Sequence, residues 1–121
     1  MTDEAAPPRI VHVHATLPGG TTAPPGALLR VQVQDVSVAD RASEVVAEVA
    51  VPLTAESSEA ELDVPVPVGL IDPRASLSVF VHVDLAGTGS ISVGDFLCPA
   101  THPVLTRGAP DAAEVRLIKV G

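Results

Sequence analysis

The chain has 121 residues, 46% of them apolar and only 2% aromatic, with Phe80 and Phe96 the two rings. That length suits one domain, able to bury about two thirds of its unfolded surface. The net charge of −8, from fifteen acids and seven bases, opposes polyanions, which excludes nucleic acid and anionic lipid as expected partners. With so few rings, a platform for stacking bases or sugars is excluded as well.

The opening MTDEAAPPRI has neither a basic start nor an apolar core, so no secretory signal is read there. Residues 1–8 read as a flexible tail and 9–121 as the folded domain. On this reading the chain as it stands is expected in the cytoplasm. The cell envelope is the alternative if a leader has been removed. Charges or prolines interrupt every apolar run, so no membrane span is expected.

Residues 9–17 alternate with period two, Val11, Val13, Ala15 and Leu17 on one face and Ile10, His12, His14 and Thr16 on the other. Successive side chains of a strand point to opposite faces, so this is a first strand. Pro18-Gly19-Gly20 ends it. Residues 27–36 repeat the pattern, with Leu29, Val31 and Val33 inward. A polar turn with Asp40 and Ser43 leads to a third strand ending near Leu53, in which Val45, Ala47, Val49 and Val51 form the apolar face. A fourth strand, 60–68, turns Leu62, Val64, Val66 and Val68 one way and Glu61, Asp63, Pro65 and Pro67 the other. Two prolines remove ladder donors, which marks an edge strand or a strand that leaves the sheet. Glu56 and Glu59, in the polar loop at 55–59, with Glu61 and Asp63 put four acids close together. They either keep the edge solvated or dock a basic protein partner.

A turn, or one short helical turn, is expected at 71–74. The fifth strand, 77–85, has Leu77, Val79, Val81, Val83 and Leu85 inward and Ser78, Phe80, His82 and Asp84 outward. Short strands follow near Ile91 and at 96–98, then a segment at 103–106 and a last strand at 113–120. No stretch keeps a helical period. Seven or eight short strands separated by turns predict an all-β domain, a single antiparallel β-sandwich.

Three segments resemble the YbaY/YscW lipoprotein family. ALLRVQVQDVSVADRASEVVAE carries a D-x-S-x-x-D turn at Asp35, Ser37 and Asp40; SLSVFVHVDLAGTG is similar to a late strand and turn; GDFLCPATHPVLTRG is similar to the turn before the last strand. The resemblance implies a small β-sandwich. It also implies, for some members, a pilotin that escorts a secretin component of a type III secretion system to the outer membrane. Pilotin action uses a lipidated cysteine just after a signal peptide, whereas the cysteine here is Cys98.

Few motifs carry chemistry. His12 and His14 lie two apart on one strand face, half of a zinc site, and His82 is a third ligand if the strands adjoin. Residues 84–95 have the outline of a calcium loop, with Asp84 first, Gly89 at the sharp turn and Asp95 last. Ala86 and Thr88 stand where that loop places carboxylates, so Asp84 and Asp95 are expected to cap turn amides instead. Cys98 reads as a small apolar filler. Ser90-Ile-Ser92-Val-Gly94 lacks the first glycine of a nucleophile elbow. The expected function is a non-catalytic β-sandwich that binds a protein or serves as a structural module, with no cofactor. Its candidate partner-binding residues are Glu59, Glu61 and Asp63. The alternatives are a metal-binding protein or enzyme using His12, His14 and His82, and a pilotin-like secretion escort.

Overall fold

The computed structural model describes residues 7–38 and 43–121. The expected turn residue Asp40, and residues 1–6 of the expected tail, lie outside the described residues. Eight strands form in chain order: β1 (Arg9–Thr16), β2 (Leu28–Asp35), β3 (Glu44–Pro52), β4 (Glu59–Val66), β5 (Leu77–Asp84), β6 (Phe96–Leu97), β7 (Ala112–Arg116) and β8 (Ile118–Lys119). One 3-10 turn, Val68–Leu70, precedes the expected turn at 71–74. No α-helix occurs among the described residues.

Two sheets stack. One has the order β4-β1-β7, the other β3-β2-β5-β6-β8. Their facing sides hold the valine ladders: Val11, Val13 and Ala15 of β1, Val64 and Val66 of β4, Leu29, Val31 and Val33 of β2, and Leu77, Val79, Val81 and Val83 of β5. β-branched side chains suit this pleated interior because their restricted rotamers lose little on packing. The sandwich and the edge position of β4 agree with the sequence reading.

The pairing is not wholly antiparallel. β7 lies parallel to β1, matching His12 with Ala112 and His14 with Glu114. A parallel neighbour needs a long crossover, and the 98–111 segment supplies part of it. The segment runs along β5 on the way: Val79 N donates to His102 O at 3.0 Å and Val104 N to Leu77 O at 3.0 Å.

Several sequence expectations need correction. The single last strand splits at Leu117, which is buried and leaves one sheet for the other. In β3 the register passes from Val33↔Ala47 to Gln34↔Val45, so Val46 is the extra residue of a bulge. The bulge reverses the alternation: Val46 packs on the core and Val45 is 50% exposed. Residues near Ile91 form no strand; they belong to a loop. Val68, expected inward, is exposed beyond the end of β4. His82 and Asp84, expected to face water, are buried, because Arg30 and the 85–95 loop lie over that end of β5.

Candidate functional site

The outer face of the three-stranded sheet gathers most of the side chains singled out in the sequence. Alternation along β1 sends His12 and His14 away from the valine core. Register then sets Asp63 opposite His12 and Glu61 opposite His14 on β4, with Glu114 opposite His14 on β7. Directly opposed side chains on one face stand within reach of each other. His12 Nδ1 meets Asp63 Oδ1 at 2.8 Å. His14 Nδ1 meets Glu114 Oε2 at 2.8 Å, and its Nε2 lies 3.2 Å from Glu59 Oε1. The hydrogen bond to Glu114, then that to Glu59, raises the His14 pKa above its ordinary value. His12, His14, Glu61, Asp63, Ala112 and Glu114 line a shallow open concavity of about 310 Å³.

His82 does not join this group. It lies on β5 of the other sheet, on the side turned away from the valine core, so the three histidines do not converge. It belongs instead to a buried polar cluster. His82 Nε2 donates to Asp95 Oδ2 at 2.8 Å. The same carboxylate accepts from Ser92 N at 3.0 Å and Leu85 N at 3.1 Å. Asp84 accepts from Gly87 N at 2.9 Å, Thr88 N at 3.3 Å and Gly89 N at 2.8 Å, with Arg30 Nη2 3.7 Å away. Gly87 and Gly89 adopt φ of +69° and +82°, which turns these amides inward and which a residue with a Cβ rarely adopts. The outline of a calcium loop is thus an amide-capped turn, held by both of its acids.

Electrostatics follow from these bonds. For Asp84 the Gly89 amide is the largest influence. With the Gly87 and Thr88 amides it outweighs burial and lowers the pKa. For Asp95 burial pushes upward, but the His82 hydrogen bond and the Ser92 and Leu85 amides together hold it below the ordinary carboxylate range. Carboxylates that accept several amide bonds behave this way. Cys98 is buried, with its thiol donating to Ala100 O at 2.9 Å and standing 3.2 Å from His102 Nδ1. Burial pushes its pKa up, which favours the thiol over the nucleophilic thiolate.

The D-x-S turn also has a structural task. Asp35 accepts the Ser37 amide at 2.9 Å, and Ser37 Oγ in turn accepts the Ser76 amide at 2.8 Å. This ties the end of β2 to the start of β5. Two partners escaped the sequence reading. Glu114 meets His14 only through the parallel pairing of β7, and Arg30 reaches Asp84 only across the β2–β5 ladder.

Comparison with known proteins gives the family. Among curated proteins none matches. The chain is similar to a solved structure described as an alternative pilotin from the type II secretion system of Vibrio cholerae. The TM-score is 0.79 and the identity 20%, over 93% of this chain and 96% of that one. That likeness shows a shared fold. The family model described as "Type III secretion system lipoprotein chaperone (YscW)" matches residues 7–117. With nearly the whole sandwich inside that match, the chain belongs to the YscW family of secretion lipoprotein chaperones.

Proposed function

We propose that this domain is a non-catalytic protein-binding module, a pilotin-like escort that works at the cell envelope. It engages its client along edge strand β4 and the adjoining outer face. The observation that carries this reading is the family match over residues 7–117. The surface supports it. β4 is an edge, its outward residues Glu59, Glu61 and Asp63 are exposed, and its other flank is fixed to β1. An open edge accepts an added strand, and the acids favour a client segment rich in lysine or arginine. The high pKa of Cys98 and the commitment of Asp84 and Asp95 to amides favour binding over catalysis.

The test is capture of the client from cells that carry the matching secretion system. Glu59→Gln, Glu61→Gln and Asp63→Asn are combined in one variant. Capture is expected to fall at least tenfold while the thermal transition stays within a few degrees, because these side chains are solvated. Unchanged capture by the folded variant overturns the assignment of this surface.

A further inference from the structure

We propose that β3 pairs with the β3 of a second copy of this chain, antiparallel and about a two-fold axis at Val49, so that the larger sheets of two molecules join into one. The surface is the open edge of the five-stranded sheet. It is separate from the β4 edge proposed for the client.

The two long edges of the sandwich are built differently. β4 carries Glu59, Glu61, Asp63 and Pro65, the charges and proline that keep an exposed edge from pairing. β3 reads EVVAEVAVP. Between Glu44 and Pro52 its one charge is Glu48. That carboxylate accepts from Gln32 Nε2 at 2.6 Å and lies 4.0 Å from Arg30 Nη1. The bulge at Val46 bends the start of the strand, which leaves residues 47–51 as a regular, nearly neutral edge.

Backbone groups on that stretch are open. Leu53 N donates to Ala27 O at 2.8 Å. Bonded pairs alternate along an antiparallel ladder, so Val51, Val49 and Ala47 turn their amides and carbonyls toward β2, opposite Leu29, Val31 and Val33. Glu48 and Ala50 then turn theirs outward, where no strand lies among the described residues. The side chains are open too. Val31 and Val33, one strand in, are fully buried, whereas Ala47, Val49 and Val51 pack on the core but stay half-exposed, as do Ala60 and Leu62 of neighbouring β4. An apolar strand completes this side of the sandwich. A basic one finds only Glu48, which Gln32 and Arg30 already hold.

A second β3 has the required pattern. With the axis at Val49, Val49 stands opposite its own copy, Ala47 opposite Val51, and Glu48 opposite Ala50. Opposed residues share a face, so the inward side chains of one copy continue the apolar layer of the other. Glu48 and Ala50 form the bonded pairs, each exchanging its main-chain bonds both ways, with Val49 the non-bonded pair between them. Neighbouring registers are worse. An axis at Glu48 sets two carboxylates against each other. An axis at Ala50 sets Glu48 opposite Pro52, which has no N–H to donate.

Sedimentation velocity on tag-free protein at pH 7.5, over about a hundredfold range of concentration, tests the pairing. A monomer–dimer equilibrium is expected. Raising sodium chloride from about 0.05 to 0.5 M should strengthen it several-fold, because each copy carries a net charge of −8. Ala50→Pro removes an outward N–H and should weaken the dimer more than tenfold. Ala50→Asp, an exposed change that spares the backbone, sets a carboxylate opposite Glu48 and should weaken it as well. Val49→Cys reads the register. Opposed Cα atoms of a non-bonded pair stand about 4.5 Å apart, inside the roughly 4.4–6.8 Å span of disulfides. This variant should therefore cross-link on mild oxidation, while Val45→Cys and the wild type, whose Cys98 is buried, should not. A monomer at every concentration, a dimer that survives both Ala50 variants, or one that weakens as salt rises overturns the proposal. So does loss of client capture on Ala50→Pro in a protein that never dimerises, which would give this edge to the client.

Discussion

At the scale of single residues, two titrating groups act on stability in opposite directions. Asp95 has a lowered pKa when folded, so the native state favours its ionised form. Its stabilisation is full above the unfolded value, about 3.9, and disappears as pH falls through the folded one. Asp95→Asn should therefore lower the melting temperature at pH 7 and flatten its decline between pH 4 and pH 2. Calorimetric scans across that range measure both, and an unchanged acid slope would remove Asp95 as a source of the effect. His14 has a raised pKa, so its contribution is complete below the unfolded value of 6.5 and is lost as pH rises through the higher folded one. His14→Gln should erase a shallow loss of stability between pH 6 and pH 8. The effect should be salt-sensitive because Glu114 and Glu59 are exposed. An identical profile in 1 M sodium chloride would argue against an ionic origin.

At the scale of elements, the chain's last leg shows how sharply burial changes between neighbours. Leu117 is 3% exposed where β7 crosses to β8, and its amide donates to Thr16 O at 2.8 Å. Ile118, the next residue, is 47% exposed. Leu117→Ala should cost about 2–5 kcal/mol by leaving a cavity. Ile118→Ser should cost about 0.5 kcal/mol or less. Urea titrations compare the two, and equal costs would contradict a crossing at Leu117. The crossing was not legible in the sequence, because apolar letters run on through 117 and 118 and nothing there marks a change of sheet. β2 and β5 were legible because valines alternate with polar residues along their length. β3 was legible as a strand but not in its facing: Val45 and Val46 are both apolar, and only the register against β2 decides which turns inward. His82 and Asp84 were misplaced for a related reason. Polar letters read as wet, while their cover comes from Arg30 on another strand and Asp95 beyond a loop. His12, His14, Glu61 and Asp63 could each be placed on an outward strand face by alternation, whereas Glu59 fell in the loop ahead of the expected strand and only the β1–β4 pairing brings the five together. The sixth member of that face, Glu114, required knowing that β7 runs parallel to β1.

At the scale of the whole molecule, β1 joins the two ends of the chain in one sheet. It sits between β4 and β7, so the first strand of the chain is completed by almost the last. The His12 amide bonds Asp111 O at 2.8 Å, and Ala113, Val115 and Leu117 complete the core from the far end of the sequence. Pairings this distant must close long loops before they stabilise anything, so folding should take milliseconds to seconds. The same topology predicts that the C-terminal segment is essential rather than decorative. Ending the chain at Pro110 removes β7 and β8. β1 then becomes an open edge, β6 loses its partner β8, and the core of valine side chains opens to water on that side. Such a fragment should show no cooperative thermal transition by far-ultraviolet circular dichroism and should associate through its unpaired edges. Adding a peptide of residues 110–121 in excess should restore the transition, since it supplies both missing strands. A fragment that melts cooperatively by itself would mean that β1 and β4 hold the smaller sheet together without β7.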